Sequence, residues 1–171
     1  SLMLRLHMLL ILSCAMGAAQ AADPVPEIQR GPAKPQATGV VHALRTIPEA
    51  CARLEGQFTG DAAKPYRFAA VRTSARCAPR ARLVDASQAK PSAAGGWRLN
   101  DVIRVPSAAC PAQQAVVRIW RKEAGNTPPK LDAQGRSRIY LKDGMDAAKA
   151  GDLKALPMFA VAMAVEGKGC R

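Results

Sequence analysis

Nucleophilic catalysis by serine or cysteine needs a base within hydrogen-bond reach, and the chain holds only two histidines with which to supply one. His7 lies in an apolar N-terminal run, so a catalytic imidazole could only be His42. That residue stands beside no motif and reads as a surface or hydrogen-bonded strand residue. Asp143, Asp146 and Asp152 fall together in DGMDAAKAGD but lack the regular Asp-x-Asp-x-Asp-Gly spacing of a calcium loop, and they read as turn and cap residues. A carboxylate-based enzyme would have to be built on those three. The sequence carries no glycine loop for phosphates and no metal-ligand cluster, so no catalytic residue, metal or cofactor is predicted.

The pattern with most chemical content recurs twice. RIWRK places Arg118, Trp120 and Lys122 on one face of a strand, with Ile119 and Arg121 on the other. RIYLK does the same with Arg138, Tyr140 and Lys142. An aromatic pair ringed by cations can stack on rings while the cations meet carboxylates or phosphates. The competing reading is a packed cross-strand pair whose cationic neighbours snorkel outward. The two segments are expected to be antiparallel neighbours with Trp120 opposite Tyr140. That register sets Arg118 against Lys142 and Lys122 against Arg138, a repulsion worth fractions of a kcal/mol unless acids or an anion offset it.

Cysteine usage points to an oxidising compartment. Arg5 and His7 precede the run MLLILSCAMGAA, and Ala19-Gln20-Ala21 has the small-x-small pattern of a signal peptidase site. Residues 1–21 are therefore expected to be a signal peptide, with the mature chain starting at Ala22. The minority alternative is a lipoprotein, because Ile11-Leu12-Ser13-Cys14 resembles a bacterial lipobox in which Cys14 would be lipidated. The apolar run is shorter than the roughly 20 residues that span a bilayer, and no later segment reads as transmembrane. Either way Cys51, Cys77, Cys110 and Cys170 remain, an even number without metal-ligand spacing, which predicts two disulfides in a periplasmic or secreted protein. Cys51 and Cys77 flank a candidate hairpin, so their pairing is preferred, leaving Cys110 for Cys170.

The formal net charge is +12, one less once Arg5 is removed. Between Ala62 and Lys122 twelve basic residues face only Asp85 and Asp101. Such a field attracts polyanions at low salt, although a chain rich in Ala and Arg can also be basic through composition alone. No dedicated nucleic-acid motif accompanies the charge. The expected function is an exported, non-enzymatic binding protein of the bacterial envelope. Its partner would be an anionic envelope polymer or an acidic protein, bound through the basic, aromatic-containing β-face. The alternative is a structural or assembly factor of the envelope acting through protein–protein contacts.

The elements that would position these residues are short alternating strands. Residues 22–39 hold Pro24, Pro26, Pro32 and Pro35 and read as an extended, flexible, solvated leader. Residues 40–171 read as one β-rich domain, a small disulfide-stapled antiparallel sandwich or partly open barrel of six to eight strands with one or two short helices. A first strand is expected over Val40 to Arg45. The spacing of Thr46 and Glu49 suggests a capping box opening a helical turn that carries Cys51. Leu54 to Thr59 and Tyr66 to Thr73 would form a hairpin around GDAAKP. Arg80 to Asp85 is a short strand, and Ser92 to Gly96 a turn. Trp97, Leu99, Ile103 and Val105 alternate with Arg98, Asn100 and Arg104 and are assigned inward. Ala115, Val117 and Ile119 give the next strand its apolar face, and a short helix is expected within Asp146 to Leu156. Met158 to Glu166 reads as a central strand with Phe159, Val161, Met163 and Val165 on one face and Ala160, Ala162 and Ala164 on the other.

Overall fold

The computed structural model describes residues 23–124, 133 and 156–170. The expected signal peptide with Cys14, the segment holding Arg138, Tyr140 and Lys142, the carboxylates Asp143, Asp146 and Asp152, and nearly all of the stretch expected to hold a helix lie outside the described residues. The elements run β1 (His42–Ile47), a 3-10 turn (Pro48–Ala50), β2 (Ala52–Phe58), β3 (Tyr66–Arg72), β4 (Arg82–Asp85), α1 (Ala86–Ala89), β5 (Arg98–Pro106), β6 (Gln114–Lys122) and β7 (Met158–Glu166). They form two open sheets, a three-stranded one in the order β1-β2-β3 and a four-stranded one in the order β4-β7-β6-β5. This is the all-β, disulfide-stapled sandwich that the alternating pattern predicts. The pairing of β4 with β7 is parallel, and every other ladder between these strands is antiparallel.

The core lies between the sheets. Leu44, Ile47, Leu54, Phe58 and Tyr66 of the first meet Ile103, Val105, Val117, Ile119, Phe159 and Val161 of the second. In β7 the large residues fall on the core side, as expected, and Ala160 on the opposite side is also fully buried. β2 buries alternate residues at Ala52, Leu54, Gly56 and Phe58. Gly56 is required there, because an added Cβ would collide with the Tyr66 hydroxyl of the neighbouring strand. The disulfides join Cys51 to Cys77, 26 residues apart, and Cys110 to Cys170, 60 apart. Both are the pairings favoured by the sequence, and two disulfides point to an extracytoplasmic protein.

Four local expectations are corrected. No capping box forms, because Thr46 stays in β1 and the 3-10 turn opens with a proline and no side-chain cap; Cys51 closes it with φ 53°.

Second, a bulge between Leu99 and Asp101 interrupts the alternation of β5. Leu99 pairs with Trp120 while Asp101 pairs with Ile119, so Trp97 and Leu99 do not share the core face with Ile103 and Val105.

Third, the proline-rich leader is extended but not free. The amides of Glu27, Ile28, Ala33 and Gln36 donate to carbonyls of Leu99, Asn100, Arg104 and Pro106 at 2.8–2.9 Å, laying the leader parallel along the outer edge of β5. Prolines are compatible with such an edge companion, which needs only some of its amides.

Fourth, β6 is hydrogen-bonded on both edges throughout, to β5 and to β7. Trp120 faces Leu99 on one side and Ala160 on the other. The register with Tyr140 therefore has no edge of β6 on which to form.

Candidate functional site

The bulge at Asn100 turns a carboxylate into the sandwich. Asp101 is fully buried, and three strands of chain converge on it. Arg30 from the leader grips it in bidentate fashion, Nε at 2.9 Å and Nη2 at 2.6 Å, and Arg45 of β1 donates from Nη1 at 3.3 Å. Arg45 also donates to Asn100 Oδ1 at 2.5 Å, and Asn100 in turn donates to Glu27 at 2.7 Å. Burial pulls the Arg45 guanidinium below its ordinary range, and the neighbouring Asp101 opposes that pull. The cluster ties leader, first sheet and second sheet together, and its charges satisfy one another.

Beside it Arg118, on the suspected face of β6, is paired from within the fold. Arg118 points away from the core, donating to Asp23 of the leader at 2.7 Å and to Glu166 of β7 at 3.1 Å. Arg104 shares Glu166. Arg121, on the opposite face as predicted, donates to both oxygens of Glu27 and pairs with Glu123. That engagement with Arg121 holds the Glu27 carboxyl below its ordinary value, against the opposing effect of burial. Trp120 is half-buried on the outer face, with the buried side chains of Leu99 and Ala160 as cross-strand neighbours. Lys122 shares that face, and its ammonium lies 5.9 Å from the ring centroid of Trp97. Of the six residues proposed from the sequence, Arg118, Trp120 and Lys122 thus share one face, while Arg138, Tyr140 and Lys142 lie outside the described residues. The acids that offset Arg118 come from the leader and from β7, neither of which is near β6 in sequence.

Lys122 of β6 also has no carboxylate within 4.0 Å among the described residues, and further cations without such partners lie elsewhere. Lys64, Arg67, Arg72, Arg76, Arg80 and Arg82 have no carboxylate within 4.0 Å among the described residues. They occupy the β2–β3 loop, β3, the connection from β3 to β4, and the start of β4. That connection is held by the Cys51–Cys77 bond. Bonds from the Arg72 guanidinium to the carbonyls of Ser74 and Cys77, and from the Arg80 and Ala81 amides to Glu49, hold it further. The basic surplus therefore sits on a fixed frame. Sequence reasoning found the surplus but not which of its arginines are paired, because Asp23, Glu27 and Glu166 are remote from β6 in sequence.

His42 is a hydrogen-bonded strand residue, as expected. Its Nδ1 lies 3.4 Å from the Val40 carbonyl, which can only accept, so Nε2 is the acceptor for the Tyr66 hydroxyl at 2.7 Å. Burial lowers the His42 pKa from 6.5 and raises that of Tyr66, so both are neutral at pH 7. The unfolded chain then binds a proton more readily than the folded one at His42. Its contribution to stability is present above pH 6.5 and is lost as pH falls through the lowered folded value. Glu27, lowered from 4.5, acts in the same sense in a second step below pH 4.5. Thermal melts between pH 7.5 and 3.5 should show midpoints falling in both windows. In His42→Gln the upper step should vanish while the lower persists, and an unchanged upper step would show that another group causes it.

Among the described residues no three metal-ligating side chains lie together, and no helix is long and apolar enough to cross a membrane. Comparison with protein-family models, with curated proteins and with solved structures finds no match to this chain.

Proposed function

We propose that this chain is an exported, non-enzymatic binding protein of the bacterial envelope, periplasmic or secreted, which recognises an anionic polymer or an acidic protein. The observation that carries this reading is the unequal pairing of its cations. The arginines of β5 and β6 face acids of the leader, of β7 and of residue 123, and Lys122 alone among the cations of these two strands does not. The cations from Lys64 to Arg82 form an unpaired basic surface on a disulfide-held frame. Unpaired surface cations raise the local concentration of polyanions and release counterions when these bind. The recognition surface is accordingly centred on β3 and the chain after it, and Arg118 and Trp120 stand as internal structure.

Heparin, as a polyanion probe, should bind with an affinity that falls steeply with salt. Replacing Arg67, Arg76 and Arg82 together with Gln should flatten that dependence by about one in slope for each lost contact. Arg118→Gln should leave the slope nearly unchanged, because its charge is already matched. Absence of binding at low salt would sink the anionic reading, and an equal loss from Arg118→Gln would return the surface to β6.

The second reading, an assembly factor acting through protein–protein contacts, is favoured by one observation. β3 pairs with β2 along one edge, and no described residue forms a ladder with its other edge.

A further inference from the structure

We infer that the second edge of β3, with which no described residue forms a ladder, is a strand-addition site for an extended, acidic segment of another polypeptide. The inference rests on the basic-surface reading for the partner's charge, but its backbone argument is independent of that reading. Sheet edges present unpaired amides and carbonyls, and proteins ordinarily guard them. Here the edge of β5 is covered by residues 27–36 of the leader. β4 is four residues long and turns at once into α1, and β1 carries a register break between Ala43 and Arg45. β3 alone runs seven residues in unbroken register with no proline.

The ladder's phase fixes which groups face outward. Thr59 donates to the Pro65 carbonyl and Thr73 to that of Cys51. Antiparallel hydrogen-bonded pairs alternate, so the bonded pairs between are Gln57–Arg67, Glu55–Ala69 and Arg53–Val71. The amides of Phe68, Ala70 and Arg72 therefore point away from β2. Ala69, Ala70 and Val71 are exposed at the middle of the strand, Val71 by 36%.

A shallow groove of about 640 Å³ lies beside this strand, lined by Phe68 of β3, Val161 and Met163 of β7, and Asp85 and Ser87 at the start of α1. An added strand would send alternate side chains toward that groove and the others to solvent. Strand addition works in this way, with the backbone supplying affinity and the pockets selectivity.

The occupant is specified by charge. Arg67 and Arg72 lie five residues apart and so on opposite faces of β3; a second copy, added antiparallel, would gather the cations of both strands at the two ends of the ladder with no acid in either strand to offset them. A partner strand with acids near its ends would meet Arg67 at one end of β3 and Arg72 and Arg76 at the other. Asp85 at the groove mouth already accepts from the Ser87 amide and disfavours an acid in the groove itself. The acids therefore belong at the ends of the added strand and small apolar side chains at its middle.

The probe is a capped six-residue peptide with Glu at each end and Val and Thr alternating between, which sets its two Glu on opposite faces as Arg67 and Arg72 are, read by amide shifts and hydrogen exchange on the labelled full chain. Bound peptide should raise protection at Phe68, Ala70 and Arg72 and leave Arg67, Ala69 and Val71 as they were. Lys in place of both Glu should weaken binding at least tenfold. Ala70→Pro removes an amide that β2 does not use. The variant should keep its melting temperature and lose binding at least tenfold.

If the Phe68, Ala70 and Arg72 amides are as protected in the free monomer as that of Ala69, or become so through self-association, the edge is closed and the inference is overturned. Equal binding of the Glu and Lys peptides would overturn the acidic partner and the charge reading beneath it. No protection by either peptide, with heparin binding intact, would overturn the edge alone.

Discussion

Asp101→Ala should lower the unfolding free energy by about 3–5 kcal/mol, a large share of what a domain of this size has. The magnitude follows from what the change leaves behind. Asp101 is fully buried and is gripped by Arg30 and Arg45. Without it, Arg45, whose side chain is only 17% exposed, is a charge deprived of its carboxylate in a site that already disfavours the charged form. Arg30, at 36%, can turn to water, so Arg30→Ala should cost much less. Urea unfolding of both variants tests the ordering. Hydrogen exchange tests its cause, since either change should speed exchange at Glu27, Ile28, Ala33 and Gln36 by loosening the leader from β5. Equal losses from the two variants would mean that anchoring the leader, and not the buried charge, carries the effect.

That cluster also shows where sequence reasoning runs out. Alternation in β2, β6 and β7 is legible because each strand has one face on the core, so period-two burial follows from the pleat. The cysteine pairing was legible through the hairpin between Cys51 and Cys77. The bulge at Asn100 was not, although it left a trace. Strict alternation places Asp101 among the inward residues Leu99, Ile103 and Val105, and an acid in that line signals either a break in register or a buried partner. The partners, Arg30 and Arg45, come from a segment that composition alone presents as solvated and from the other sheet. Their meeting depends on which edge of β5 is open, a property of topology and not of local sequence.

The pairing of Arg118 was hidden for the same reason. RIWRK has the right alternation, and Arg118, Trp120 and Lys122 do share a face. What no local pattern reveals is that β6 lies inside its sheet, that Asp23 and Glu166 come to Arg118, and that Leu99 and Ala160 flank Trp120. A cation's availability is decided here by acids 94 and 95 residues away, so charge counting locates a surplus without locating its surface.

The disulfides should dominate stability on the same scale as Asp101, and their effects should differ in kind. Closing loops of 26 and 60 residues restricts the unfolded chain by about 3.5 and about 4 kcal/mol respectively. Cys110→Ser with Cys170→Ser should therefore cost slightly more in urea unfolding than Cys51→Ser with Cys77→Ser. Binding should rank them in reverse. Cys110–Cys170 lies at the C-terminal end of the fold, next to Lys168, whose carbonyl approaches Cys110 Sγ at 3.7 Å. Its loss leaves the cations of residues 64–82 on their frame. Cys51–Cys77 anchors the segment bearing Arg76, Arg80 and Arg82 to the turn before β2. Releasing it obliges a polyanion to order that segment on binding, at an entropic cost of roughly 1–2 kcal/mol per fixed residue. Heparin affinity at fixed salt, measured at a temperature where both variants remain folded, should thus fall at least tenfold for the Cys51/Cys77 pair and stay near wild type for the other. Equal affinities in the two would show that the frame contributes stability alone and that the basic surface binds without it.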